Sequence, residues 1–254
     1  MIMIISGAGL SAESGIKTFR DHDGLWENYD VMKVCSTQGW EADRELVTQF
    51  YNARRKDLED KEPNAAHFAL AKLEKMYPNK IYNLTQNVDN LLEKAGCTEV
   101  THLHGTLTDL RCEDCNHIWD VGYHSQEEYG YCPLCESTSV RHNVVMFGEA
   151  APAYEKIYEA ISNCKLLIAI GTSGQVIDIV PIAREFQHSI LINPKKEEYM
   201  TSFTKETSAS QTATACLSAG DDFIDDYFKH FLQMGAGDAV EEMQALIEEF
   251  MDER

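Results

Sequence analysis

Four short apolar runs, each closed by small or polar residues, punctuate the chain: residues 2–5 before Ser6 and Gly7, 81–84 before Thr85, Gln86 and Asn87, 166–170 before Gly171, Thr172 and Ser173, and 190–192 before Asn193. Predominantly apolar runs of this length predict strands buried on both faces, as in parallel sheets. Segments of helical period lie between them, notably 65–76 and 154–162. Strand alternating with helix predicts an α/β fold, a right-handed parallel sheet with helices on both faces. Ligands of such sheets bind outside the carboxyl ends of the strands, so the polar residues that close the four runs are expected to line one crevice.

Two stretches break the rhythm. Residues 21–60 read as a loop followed by helix, and 110–141 are rich in cysteine, polar residues and turn signals. With no internal repeat, a minor domain is expected from these two excursions. The large domain would then comprise 1–20, 61–109 and 142–254, and the small one the helical insertion 21–60 with the cysteine module 110–141. At the end, 238–254 predicts an acidic helix with Val240, Met243, Leu246, Ile247 and Phe250 on one stripe.

Charge and cysteine usage narrow the chemistry. The 254 residues carry a formal net charge of -20, which disfavours a nucleic-acid partner because phosphate binding needs a basic face. No apolar run reaches the roughly 18 residues of a membrane span, and the start is too short and uncharged for a signal peptide, so a cytoplasmic location is expected. Of eight cysteines, Cys35, Cys97, Cys164 and Cys216 are scattered. Cys112, Cys115, Cys132 and Cys135 form two CxxC pairs sixteen residues apart, the spacing of a closed four-thiolate zinc site. Four thiolates leave no coordination position for water, so one Zn2+ with a structural role is expected. A redox CxxC would need one pair at the head of a helix, and a zinc ribbon reading nucleic acid fails on charge, since 111–139 hold one Arg, no Lys and six acids.

Directly after the first predicted strand, Gly7-Ala8-Gly9-Leu10-Ser11-Ala12 matches GxGxxG/A, in which glycines let backbone N–H groups approach a pyrophosphate at a helix N-terminus. Alone it could be a plain glycine turn. A dehydrogenase also wants an acidic residue about 20 positions on, at the end of a second strand, whereas Glu27 and Asp30 follow a loop.

Several segments together resemble one family, the sirtuins, NAD-dependent protein-lysine deacylases. They are 7–16, Thr18-Phe19-Arg20, Thr85-Gln86-Asn87-Val88-Asp89, His102-Leu103-His104-Gly105, the four cysteines, Phe147-Gly148-Glu149 and Gly171-Thr172-Ser173, in that family's order. The resemblance implies a Rossmann-like NAD domain, a small zinc domain, and acylated-lysine proteins or peptides bound between them. It implies NAD contacts from Gly7, Ala8, Gly9, Ser11, Phe19, Arg20, Trp26, Gln86, Asn87, Asp89, Gly171, Thr172, Ser173 and Asn193. His104 would be the general base, and Val145, Phe147, Gly148 and Glu149 would pair with the substrate backbone as an added strand. An adenine-binding Gly-x-Ala is missing between 201 and 220, with Thr214-Ala215-Cys216 nearest to it.

On the helix expected over 41–60, Val47, Tyr51, Arg54 and Leu58 share a stripe, which points Arg54 toward the interior and in need of an anion. Snorkelling to a neighbouring acid would meet that need. The segment 50–55 also resembles the Tyr-x-x-Arg signature of class III sirtuins, which implies that Tyr51 and Arg54 clamp the distal carboxylate of succinyl- or malonyl-lysine, with acetyl also accepted. A sirtuin-like ADP-ribosyltransferase, a non-catalytic NAD or ADP-ribose sensor and, last, an NAD dehydrogenase are the alternatives. Oligomeric state is not legible.

Overall fold

The computed structural model describes residues 1–17, 25–26, 29–199 and 222–252. In chain order its strands are β1 (Ile2–Ser6), β2 (Leu25–Trp26), β3 (Tyr29–Asp30), β4 (Ile81–Thr85), β5 (Val100–His102), β6 (Gly105–Cys112), β7 (Ile118–Asp120), β8 (Val140–Val144), β9 (Leu166–Ile170), β10 (His188–Ile192) and β11 (His230–Leu232). The α-helices are α1 (Val31–Val34), α2 (Thr37–Ala42), α3 (Arg44–Leu58), α4 (Ala65–Met76), α5 (Leu91–Ala95), α6 (Glu155–Asn163), α7 (Ile179–Arg184) and α8 (Val240–Asp252).

The main sheet is wholly parallel, in the order β11-β10-β9-β1-β4-β5. Its switch point falls between β1 and β9, where the chain turns from building one half of the sheet to the other, as in Rossmann-type folds. Both faces are covered, which is why the runs read as predominantly apolar. Ile2 and Ile4 of β1 pack with Ile168, Ile170 and Ile190 under α4 and α8, while Met3 and Ile5 pack with Leu167, Ala169 and Leu191 under α6 and α7. The four expected strands are present. The edge strands β5 and β11, three residues each, lack an apolar run long enough to announce them.

The helix expected over 65–76 begins and ends there, because Asn64 accepts from the N–H groups of Ala66 and His67 and closes a capping box with His67. The helix expected over 41–60 is instead two, α2 and α3. Asp43 leaves the helical region and its carboxylate accepts from the Leu46 N–H, starting α3 afresh. The terminal helix α8 buries Met243, Ile247 and Phe250, three of the five stripe residues.

The second body is a three-stranded antiparallel sheet, β7-β6-β8, running from Gly105 to Val144. Helices α1 to α3 pack on it through an apolar cluster that joins Val34, Trp40, Phe50, Tyr51 and Leu58 to Leu107, Val144 and Met146. Among the described residues no helix is long and apolar enough to cross a membrane.

Candidate active site

The glycine turn after β1 and the loop after β9 meet backbone to backbone at the switch point. Gly9 N–H donates to the Gly171 carbonyl at 2.8 Å and Gly7 N–H to that of Ile170 at 3.0 Å. A Cβ on Gly9 would lie 2.6 Å from Gly171 Cα, and Gly171 holds a left-handed φ of 64°. Glycine is therefore required on both sides of the contact. The turn leads into a seven-residue 3-10 segment, Ala8–Ser14, in place of the α-helix that the motif predicts.

Beneath this turn lies a buried polar floor. Ser11 Oγ donates to Asp89 Oδ2 at 2.8 Å and receives Asn87 Nδ2 at 3.2 Å. His67 Nδ1 accepts the Asn64 N–H, which leaves Nε2 to carry the proton toward Ser11 Oγ at 3.4 Å. Burial pushes the Asp89 carboxyl up and the Ser11 hydrogen bond opposes it. Gln86 Nε2 donates to Thr172 Oγ1 at 3.0 Å, and Asn193 Nδ2 to the Thr172 carbonyl at 2.6 Å, so the ends of β4, β9 and β10 are bound to one another. Ser173, half-buried, lies in the same loop.

The half-buried His104 occupies the turn between β5 and β6. Its Nδ1 lies 2.9 Å from the Gln86 carbonyl, and its Nε2 2.8 Å from the hydroxyl of Tyr154, a residue with no place in the sequence motifs. Burial lowers its pKa, and the Gln86 carbonyl counters in part, so the imidazole is neutral at pH 7. His102 is differently engaged: Nδ1 meets the Asn87 carbonyl at 2.9 Å and Nε2 meets Glu93 at 2.8 Å. Burial pulls its pKa down, but the Glu93 carboxylate outweighs that and raises it. His102 thus braces the turn that carries His104, and Gly105 comes next at φ 79°, where a Cβ would strike the Asn143 carbonyl at 2.0 Å.

Val145, Phe147, Gly148 and Glu149 form the segment after β8. Val145 N–H donates to the His104 carbonyl at 2.9 Å, and Phe147 N–H to that of Cys35 at 2.8 Å, which hangs the segment between the small sheet and α2. Phe147 and Gly148 are exposed. Glu149 is not exposed for a ligand: its carboxylate takes the guanidinium of the buried Arg141, that of Arg111 at 3.1 Å, and the Met146 N–H at 2.9 Å. These partners hold its pKa down against the upward push of burial.

Of the two residues read as an acyl clamp, Arg54 lines a cavity with Ile16, Lys17, Val88 and Asp89, next to the polar floor. Tyr51 is buried one turn earlier, and burial pushes its phenol pKa well up; its ring lies 5.4 Å from that of His142. The fully buried guanidinium of α3 is Arg55, one position past the one the stripe singled out. It donates to the carbonyls of Leu107, Asp109 and His124, and burial lowers its pKa to about 10. Phe19, Arg20 and residues 201–220 lie outside the described residues; Trp26 is described only as part of β2.

Away from the crevice, the sulfurs of Cys112, Cys115, Cys132 and Cys135 all lie within 4.8 Å of one another. The pairs Cys112–Cys135 and Cys115–Cys132 are 3.6 and 3.7 Å apart, near the edge of about 3.8 Å that a tetrahedron with Zn–S bonds of about 2.3 Å requires, and far from a disulfide. Each CxxC forms the same knuckle, with left-handed Asn116 and Glu136 donating back to the carbonyls of Cys112 and Cys132. The donor set fits one structural Zn2+.

Fold and site together define an NAD-type α/β domain bearing a thiolate metal module, and the comparisons agree. The Sir2 family profile matches residues 7–178, and the chain belongs to that family, the sirtuins. It is 50% identical over 190 residues to the NAD-dependent protein deacylase of Campylobacter jejuni, covering 75% of this chain and 81% of that one. It is 40% identical over 213 residues to the namesake from Escherichia coli K12, covering 81% and 76%. Among solved structures, a Sir2 homologue variant in complex with ADP-ribose superposes with a TM-score of 0.78 at 28% identity, covering 100% of this chain and 94% of that one. A Sir2 homologue–NAD complex superposes at 0.77 with 30% identity, covering 97% and 89%.

Proposed function

We propose that this protein is an NAD-dependent protein-lysine deacylase that removes succinyl, malonyl and acetyl groups, giving nicotinamide, the free lysine and O-acyl-ADP-ribose. The observation that carries the reading is convergence. A neutral His104 and the Ser11–Asn87–Asp89 floor stand at one end of a Rossmann sheet in a chain of the Sir2 family. The acyl amide oxygen is a weak nucleophile, so the reaction depends on holding it against C1′ of the nicotinamide ribose as that bond stretches. Gln86, Asn87 and Asp89 would hold the ribose and carboxamide. Gly7, Ala8, Gly9, Ser11, Phe19, Arg20, Trp26, Gly171, Thr172, Ser173 and Asn193 would bind the rest of NAD. His104 would deprotonate a ribose hydroxyl so that the intermediate cyclises.

The acylated peptide would lie along Val145, Phe147 and Gly148, the segment joining the proposed large domain (1–20, 61–109 and 142–254) to the small one (21–60 and 110–141). Glu149, committed to Arg141 and Arg111, would shape that segment from behind. Arg54, on the cavity it shares with Asp89, would meet a distal carboxylate, with Tyr51 one turn away. The zinc would brace the small domain. The acidic balance supports protein and not nucleic-acid substrates, and the free thiols among the described residues support a reducing, cytoplasmic setting.

The test is product mass after incubation with NAD and acetyl-, malonyl- or succinyl-lysine peptides. We expect O-acyl-ADP-ribose in each case, a ~100- to 10,000-fold loss in His104→Ala, and a loss of about 2 to 5 kcal/mol in succinyl kcat/KM in Arg54→Met, with acetyl little changed. ADP-ribose attached to protein would instead establish the transferase.

A further inference from the structure

The hydrogen bonds of His104 fix where its proton lies. The Gln86 carbonyl, 2.9 Å from Nδ1, can only accept, so in the neutral ring Nδ1 carries the hydrogen. Nε2 then offers only a lone pair, and the Tyr154 hydroxyl 2.8 Å away has to donate to it. That lone pair is the one a general base uses.

Tyr154 is firmly placed. It ends the 3-10 turn Pro152–Tyr154, its N–H donates to the Ala151 carbonyl at 3.0 Å, and it packs against the apolar cluster of Met3, Ile5 and Leu103 beneath the sheet. Its ring centroid lies 5.8 Å from the imidazole, tilted by 51°. A ribose hydroxyl approaching Nε2 must take the position the phenol holds.

We propose that Tyr154 is a positioning residue that caps the Nε2 lone pair of His104 in the ligand-free enzyme and yields it to the substrate ribose. This rests on the reading of His104 as general base. The Gln86 carbonyl holds the working tautomer and the cap occupies the lone pair until substrate arrives, so its displacement couples engagement of the ribose to release of the base.

The experiment compares wild type with Tyr154→Phe, which removes one oxygen from a half-buried ring. In ligand-free protein, 15N NMR of the histidines is expected to show His104 as the Nδ1–H tautomer with a hydrogen-bonded Nε2, and Tyr154→Phe is expected to move the Nε2 resonance toward that of an unbonded ring nitrogen. In wild type, adding NAD and acyl-lysine peptide is expected to move the same resonance as the phenol is displaced. Nicotinamide exchange precedes the step that needs the base, so the ratio of deacylation to exchange should rise about fivefold in Tyr154→Phe, the equivalent of one ordinary hydrogen bond. An Nε2 resonance insensitive to the substitution, or a ratio that is unchanged or lower, overturns the proposal. The NMR arm needs no activity, so it separates this idea from the functional reading: a His104→Ala protein that still deacylates would overturn the general-base role and leave the tyrosine contact intact.

Discussion

His67 is fully enclosed, and burial lowers its pKa to about 4. The fold disfavours its charged form. The unfolded chain takes up a proton near pH 6.5, whereas the folded chain resists until about 4, so stability is complete above 6.5 and falls progressively across that window. The total loss from this group is about 3 kcal/mol, and His142, whose pKa burial beside Arg55 and Arg141 also depresses, acts in the same direction. Urea midpoints should therefore fall steeply between about pH 6.5 and 4.5; a flat profile would show that the folded protein protonates His67 as readily as the unfolded chain does. At this scale the sequence reveals residues that belong to spaced motifs, such as His104 and the cysteines. It does not reveal Tyr154, Arg141 or the commitment of Glu149, because hydrogen-bond partners are not encoded in spacing.

Helix α3 shows how one position changes a side chain's role. Successive helical residues differ by about 100° in direction, so the stripe that includes Arg54 leaves Arg55 ambiguous, and only the strand packed against it decides. Arg55 binds α3 to β6 and to the turn at His124 through three carbonyls. Arg55→Ala should cost about 3 to 5 kcal/mol in urea denaturation, since it leaves those carbonyls buried and unpaired. Arg55→Lys should recover little, because a compact ammonium on a flexible stem cannot reproduce the planar fork of donors. The helix break at Asp43 was likewise hidden within a long helical pattern, whereas α4 was legible to the residue because Asn64 caps it.

In the whole molecule, the zinc module is joined to the crevice through β6, which begins beside His104 and ends at Cys112. Zinc-finger sites contribute on the order of 10 kcal/mol or more to folding. A strong chelator should therefore release one Zn2+ per chain, expose Trp119 of the metal-side cluster to solvent in fluorescence, and abolish deacylation, while the main sheet keeps its circular dichroism. Retention of full activity without the metal would sever that link.

By itself the sequence determined the alternating α/β layers, the four-thiolate site and the order of the sirtuin motifs, because apolar period and fixed spacing are local properties of a chain. Tertiary structure alone decided which side chains face one another: the glycine turn against Gly171, Glu149 against Arg141, Tyr154 on the nitrogen of His104. Hydrogen-bond geometry, unlike periodicity, exists only once the chain has closed upon itself.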